Sequence, residues 1–212
     1  MSTMSTMWRR AAVAAAGTAL IATGAMTSPA QAATIDVIYD VNGTTHINST
    51  NSDIAIGPAT MYSFVETDGS FTGDMALPGT RTKFHLLGFI PVTANVNFEP
   101  TGPTTGLVSR DPNDRTKRIL KSTSNYYVRL SNIAVVGFPL FAGSNCRTSS
   151  PVSIAADTPA GENFNITVGG RLTGTYSIGN FQNCGLNTWL INSIIPGSGN
   201  TIELNLTNGR LQ

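Results

Sequence analysis

The sequence contains few charged residues and few residues that perform acid–base or metal chemistry. Asp, Glu, Lys and Arg make up 12% of the 212 residues, about half of the usual share. There are only two His and two Cys, and the 13 basic residues nearly balance the 12 acidic ones. A balance of this kind gives no global attraction for nucleic acid, so we expect no nucleic-acid partner.

The chain also lacks the short motifs of the common enzyme classes. It has no G-x-S-x-G, no HExxH and no phosphate-binding loop. His46 and His85 have no carboxylate partner that the sequence reveals, so we interpret both as incidental. The turns around Asp68 and from Asp111 to Asp114 are rich in oxygen ligands but do not match a calcium loop. We therefore predict a protein that is not an enzyme and holds no metal and no cofactor.

The first 32 residues have the order of features found in an export signal. Trp8-Arg9-Arg10 precedes an uncharged, Ala-rich stretch from Ala11 to Met26, and Ala30-Gln31-Ala32 is a small-x-small cleavage site. The uncharged stretch is shorter than the roughly 20 apolar residues that cross a membrane as a helix. We predict cleavage after Ala32 by the general or the twin-arginine route. The secreted product would be a single domain of residues 33–212 with no transmembrane segment.

Two cysteines remain in that domain, Cys146 and Cys184. An even number of cysteines in an exported chain favours a disulfide. Two free thiols or two metal ligands are the alternatives, but neither cysteine has a C-x-x-C partner or a nearby His.

Short runs of alternating apolar and polar residues, separated by Gly, Pro, Asn and Asp, fill residues 33–212. Asp68-Gly69 between two such runs predicts a β-hairpin. We interpret 116–122 and 126–136 as two strands, and 164–168 and 189–195 as two more. No helical segment separates the strands. The pattern predicts an all-β domain, an antiparallel β-sandwich or β-barrel of about ten or more strands.

A basic cluster stands out against the low overall charge, at the turn predicted for residues 111–114. Such a cluster could contact an anionic ligand such as teichoic acid, lipid headgroups or nucleic acid. Alternatively, lysine and arginine at strand ends prevent sheets from associating edge to edge. The cluster consists of Arg110, Arg115, Lys117, Arg118 and Lys121.

Three aromatic residues are candidates for contact with a ligand: Tyr126, Tyr127 and Trp189. Adjacent residues of a strand face opposite sides, so only one of the two tyrosines can be exposed.

Two segments of the chain resemble each other: Leu87-Gly88-Phe89-Ile90-Pro91-Val92 and Val136-Gly137-Phe138-Pro139-Leu140. The domain is also similar to small exported proteins of high-GC Gram-positive bacteria. That similarity rests on residues 87–92, 146–148, 172–176, 183–186 and 196–197. No activity is assigned to that group, so the resemblance implies export and pairing of the cysteines but no function.

The sequence therefore favours an exported, non-enzymatic β-domain with a binding or structural role at or outside the cell envelope. A carrier of lipid or glycan is one alternative. An unfamiliar hydrolase is another, and it would require His46 or His85 to meet a carboxylate in a cleft. A secreted inhibitor or effector is the third, and it would require a protruding loop such as 143–150.

Overall fold

The computed structural model describes residues 34–86 and 89–212, which form thirteen β-strands, one short α-helix and two 3-10 turns. The predicted signal peptide and its cleavage site lie outside these residues. Every strand pairing is antiparallel, which confirms the all-β prediction. The strands are β1 (Ile35–Ile47), β2 (Ser52–Val65), β3 (Ser70–Met75), β4 (Thr80–Leu86), β5 (Ile90–Pro100), β6 (Thr104–Arg110), β7 (Arg118–Val135), β8 (Phe138–Pro139), β9 (Arg147–Thr148), β10 (Val152–Asp157), β11 (Gly170–Ile178), β12 (Phe181–Gln182) and β13 (Gly197–Leu211). The helix α1 spans Thr188–Asn192, and the 3-10 turns span Asn48–Thr50 and Gly185–Asn187.

Eight of these strands form a closed ring. The hydrogen-bonded order is β10-β11-β13-β1-β2-β3-β6-β7, and β7 pairs again with β10. Closure leaves no free edge within the ring and places one face of every strand inside. Of the two architectures that the sequence left open, a β-sandwich and a β-barrel, the closed ring corresponds to the barrel.

Strand β7 is the longest strand of the sheet and changes partner along its length. Its first part, up to Thr123, pairs with β6, and its second part, from Tyr126, pairs with β5. The sequence suggested two strands here, which is wrong. Because β5 and β6 follow one another along the same side of β7, the backbone stays extended through Ser124 and Asn125.

The interior of the ring is filled by its own side chains. On β1, Val37, Tyr39 and Val41 are buried and alternate with residues that are more exposed, as a strand with one inward face requires. Two small spaces remain between the core side chains, of about 30 and 40 Å³. Each has room for about two or three water molecules.

The loop between β10 and β11 covers one end of the ring. Phe164 is buried against Tyr39, with ring centroids 6.1 Å apart, and the Tyr39 hydroxyl donates a hydrogen bond to the Ile166 carbonyl. Burial raises the pKa of Tyr39 to about 12. The strand predicted at 164–168 is wrong, because Asn165 caps a turn here by accepting the Thr167 amide.

The disulfide predicted between Cys146 and Cys184 is present, with the two Cα atoms 4.3 Å apart. Both cysteines are fully buried. The bond joins the segment after β8 to the segment before α1, next to the short β9–β12 pairing. It therefore holds together two loops at the end of the ring opposite to Phe164.

The segment predicted as a strand at 189–195 begins instead with helix α1. Tertiary contacts fix this turn, since Asn192 accepts the Phe181 amide at 2.6 Å and donates to its carbonyl at 3.0 Å. Ile191 points into the core while Trp189 is exposed. No helix in the described part of the chain is long and apolar enough to cross a membrane.

Candidate functional site

Large exposed apolar side chains are concentrated at the end of the ring that carries the disulfide. They belong to the β4–β5 turn, the β7–β8 turn, the loop after β8, and the segment 185–192. The members are Phe89, Val136, Phe138, Phe141, Leu186 and Trp189, all exposed by more than half. We call this set the apolar end.

One of the two similar segments of the sequence, in its described part 89–92, lies beside the other at the apolar end. Val92 pairs with Val135, and the Val136 amide donates to the Pro91 carbonyl at 2.8 Å. Phe89 directly precedes β5, and Phe138 begins β8 after Val136-Gly137. The two phenylalanines are 73% and 76% exposed. The similar segments therefore place two exposed phenylalanines beside neighbouring strands.

The remaining apolar residues are joined to these turns by the loop after β8. Leu140 donates its amide to the Ile133 carbonyl at 2.8 Å, which fixes the loop against β7. The Asn187 side chain donates to the Phe141 carbonyl at 3.0 Å and so links this loop to the segment that carries Trp189. Trp189 is 72% exposed.

The segments that form the apolar end contain no Asp, Glu, Lys or Arg. The chain is free of these residues from Leu86 to Phe98, from Leu130 to Cys146 and from Leu172 to Ile202. Exposed apolar patches on soluble proteins mark contacts with a protein, a ligand or a membrane. The turns and loops that bear the six side chains therefore contribute no Asp, Glu, Lys or Arg that would lose its water on contact.

The other two aromatic candidates take no part in the apolar end. Tyr126 is only 3% exposed and packs inside against Phe98, so it cannot contact an external ligand. Tyr127 faces outward, but the Arg147 guanidinium lies 4.4 Å from its ring centroid. Of the three aromatic residues singled out from the sequence, Trp189 is the one that is freely exposed.

The basic cluster lies at the opposite end of β7, with most of its members exposed. Arg110 and Arg118 are directly opposite each other across the β6–β7 pair. Lys117 is engaged, since its Nζ donates to the Gly161 carbonyl at 2.9 Å and lies 3.5 Å from Asp114. Lys121 lies three residues beyond Arg118 along β7 and is exposed.

In the oxygen-rich turns the carboxylates accept hydrogen bonds from residues of the same turn. Asp68 Oδ1 accepts the amide and the hydroxyl of Ser70, at 2.8 and 2.6 Å. These hydrogen bonds hold the pKa of Asp68 below its usual value. Within residues 34–86 and 89–212 there is no group of three or more His, Cys, Asp or Glu residues placed to bind a metal ion.

His46 meets a carboxylate that the sequence did not reveal. His46 and Asp53 are opposite each other on β1 and β2, with Nδ1 and Oδ1 2.8 Å apart. On its other side His46 is opposite Thr201, and Thr201 is opposite Thr175. This row lines a shallow depression of about 470 Å³ on the outer face of the sheet. His85 lies elsewhere, exposed on β4 opposite Pro91.

The segment 143–150 does not protrude as an effector loop would. Cys146 and Thr148 are fully buried, and Arg147–Thr148 forms β9, which pairs with β12 and with Arg129 of β7. The exposed part of the segment at this end is limited to short stretches on either side of β9.

No family model matches this chain, and neither the curated proteins nor the solved structures contain a match.

The apolar end was missed from the sequence because its members are scattered over more than 100 positions of the chain. Two signals were present. Two Gly-Phe dipeptides recur in similar segments, and two of the three long uncharged stretches contain the cysteines. Pairing of Val92 with Val135 was the missing information, since it brings the two turns together.

Proposed function

We propose that this protein is an exported, non-enzymatic β-domain of the cell envelope that binds the surface of a lipid bilayer through its apolar end. The observation that carries the proposal is the set of six exposed apolar side chains on segments free of charge. Export is supported by the signal-like first 32 residues and by the disulfide, since such bonds persist in oxidising compartments.

A bilayer fits the apolar end better than other occupants for a physical reason. Moving a charged side chain into hydrocarbon costs several kcal/mol, while burying an exposed Phe or Leu gains about 1.5–3 kcal/mol. The segments that carry Phe89, Phe138 and Phe141 contain no Asp, Glu, Lys or Arg, so these side chains can enter the acyl region without that cost. Trp189 suits the boundary between headgroups and acyl chains, where Trp is enriched in membrane proteins.

The interior of the ring supports surface binding over the transport of an enclosed lipid. The spaces in the core measure about 30 and 40 Å³, whereas pockets for small molecules usually measure hundreds of cubic ångströms. A lipid would therefore have to displace the core side chains in order to enter.

Flotation with vesicles of phosphatidylcholine tests the proposal, using residues 33–212, which include the whole ring, its core and the disulfide. The vesicles are neutral, so basic residues do not contribute to binding. We expect Phe89→Ser and Phe138→Ser each to weaken binding about tenfold, because each removes roughly 1.4 kcal/mol of apolar burial. The fluorescence of Trp189, the sole tryptophan of this part of the sequence, should shift to shorter wavelength on binding.

Phe64→Ser is the matched control. Phe64 is 43% exposed on the outer face of β2, away from the apolar end, and its replacement should leave vesicle binding unchanged. Absence of binding by the unmodified domain would contradict the proposal, as would equal losses for Phe64→Ser and Phe138→Ser. Self-association that covers Trp189 and prevents vesicle binding would also overturn it.

The His46–Asp53 pair favours a second candidate, an unfamiliar hydrolase. It satisfies the geometric condition that this alternative required, a histidine beside a carboxylate in a depression. Asp53 is largely exposed, so water surrounds the pair, and such groups act most strongly where water is excluded. Hydrolysis of chromogenic esters or glycosides that is abolished in His46→Gln would establish this candidate, and equal rates in both proteins would remove it.

A further inference from the structure

We propose that the basic end of the ring binds the phosphate groups of a phosphodiester-linked polyol. This site is separate from the apolar end and does not depend on lipid binding.

The arrangement of Arg110 and Arg118 is the first observation. The two residues are directly opposite each other on β6 and β7, and like charges in that position repel each other. In the part of the chain that the structure describes, no carboxylate oxygen lies within 4.0 Å of a charged nitrogen of Arg110, Arg115, Arg118 or Lys121. An anion placed between the two guanidinium groups would relieve the repulsion.

The acidic residues of the same turn, within the described residues, form no ion pair with Arg110, Arg115 or Arg118. Asp111 is buried, and its Oδ1 accepts the Asn113 amide at 2.8 Å. Asp114 accepts the amide and hydroxyl of Thr116, at 3.1 and 2.6 Å. Both carboxylates are thus occupied in shaping the turn.

A cleft adjoins Arg118. It measures about 610 Å³ and has a mixed lining, in which Thr116, Arg118, Asn163, Asn165 and Thr167 are polar or charged and Ile35, Phe164, Ile166 and Leu211 are apolar. The Asn163 Oδ1 accepts the Arg118 amide at 2.8 Å, and the Asn165 Oδ1 accepts the Thr167 amide at 2.9 Å. Because the two side-chain oxygens are used within the loop, the amino groups remain as donors for the hydroxyl and phosphate oxygens of a ligand.

The chemistry of the site selects among polyanions. Guanidinium groups bind phosphate through two parallel hydrogen bonds. Proteins that bind single-stranded nucleic acid add aromatic side chains on which the bases stack. The segment from Arg110 to Lys121 contains no aromatic residue, and Phe164, which lines the cleft, is buried and offers no free face for stacking. A phosphate polymer with a polyol backbone requires no stacking, and its oxygens can accept hydrogen bonds from the amino groups of Asn163 and Asn165.

Calorimetric titration of residues 33–212 with poly(glycerol phosphate) at 50 mM salt tests the inference. We expect Arg118→Gln and Arg110→Gln each to weaken binding about fivefold and the double variant by more than twentyfold. Arg118→Lys keeps the charge but loses the two-pronged geometry, so it should fall between the parent and Arg118→Gln. The salt dependence of binding should become shallower in the double variant, since fewer phosphate contacts remain.

Arg81→Gln is the control, since Arg81 is an exposed arginine on β4 outside the cluster. Equal losses in Arg81→Gln and Arg118→Gln would overturn the inference, as would the absence of binding by the parent domain. Tighter binding of a single-stranded oligonucleotide than of poly(glycerol phosphate) would overturn the choice of a polyol. The variants should bind phosphatidylcholine vesicles like the parent, so this test and the vesicle test fail independently.

Discussion

Strand β7 begins at Arg118 in the basic cluster and ends at Val135 beside the apolar turns. At a rise of about 3.3 Å per residue, its two ends are separated by roughly 55 Å of extended chain. At one end four cations have no carboxylate partner within the described residues, and at the other no charged residue occurs in the turns. The comparison shows that one continuous sheet can present a basic surface and an apolar surface. The turns and loops at the two ends differ in charge, whereas the hydrophobic core lies inside the ring between them.

The two ends also differ in how they are held. The apolar end depends on the disulfide, which joins the loop bearing Phe141 to the segment bearing Trp189. The basic end depends on hydrogen bonds within its turns and on the packing of Phe164 against Tyr39. A change can therefore be chosen that affects one end and spares the other.

Removal of the disulfide should have the largest effect on stability, and it should impair the apolar end while it spares the basic end. For Cys146→Ser combined with Cys184→Ser, we expect a loss of about 4 kcal/mol in the free energy of unfolding, from the entropy of a loop with a sequence separation of 38 residues. Urea unfolding measures this loss. Vesicle binding should fall while binding of poly(glycerol phosphate) persists below the unfolding midpoint. Equal loss at both ends would show that they are not held separately.

Gly174→Ala should disturb the ring that both ends share. A Cβ atom on Gly174 would lie 1.7 Å from the Ala155 carbonyl oxygen, at the place where β11 crosses close to β10. Overpacking of this kind costs about 1–3 kcal/mol, which thermal unfolding would detect. A matched replacement at an open position, Gly102→Ala, meets no atom within 4 Å and should change stability by much less. The opposite order of stabilities would contradict this account of how the ring closes.

Leu186→Ser should separate function from stability at the apolar end. Leu186 is 93% exposed, so its replacement should change the free energy of unfolding by less than about 0.5 kcal/mol. We expect vesicle binding to weaken about tenfold, because the free energy gained when the leucine side chain enters the bilayer is lost. Flotation and urea unfolding of the same sample measure both quantities. Unchanged flotation would exclude Leu186 from the binding surface.

The smallest effect should come from an ion pair on the wall of the ring between β1 and β13. Arg210 and Asn208 donate hydrogen bonds to Asp40, and they hold its pKa at about 2, below the ordinary 3.8. This contribution is present above pH 4 and is lost as the pH falls towards 2. Arg210→Gln should therefore lower the melting temperature slightly at pH 7 and by clearly less at pH 2, where about half of Asp40 is protonated. A difference of the same size at both pH values would assign the effect to packing.

The alternation of apolar and polar residues was enough to predict the strands with one inward face. Val92, Ala94 and Val96 of β5 are buried as the pattern indicates, and Asp68-Gly69 forms the predicted hairpin turn between β2 and β3. The pattern failed at 189–195, because the helical turn there is fixed by hydrogen bonds between Asn192 and Phe181. Such contacts between distant segments leave no periodic signal.

For the same reason, the sequence revealed one candidate site and not the other two. The basic cluster is local, since its members lie within twelve consecutive positions, and the sequence was sufficient to find it. The His46–Asp53 pair needed the register of β1 with β2. The apolar end needed the pairing of β5 with β7 and the disulfide, which together bring distant turns to one place.

The sequence by itself determined the all-β class, the pairing of the two cysteines and the position of the basic cluster, because each depends on local alternation or on composition. Only the tertiary structure decided that the sheet closes into a ring, that Tyr126 is inside it, and that Phe89, Phe138 and Trp189 share one end. Strand register and order depend on hydrogen bonds and side-chain packing between residues far apart in the chain, and no single segment encodes these contacts.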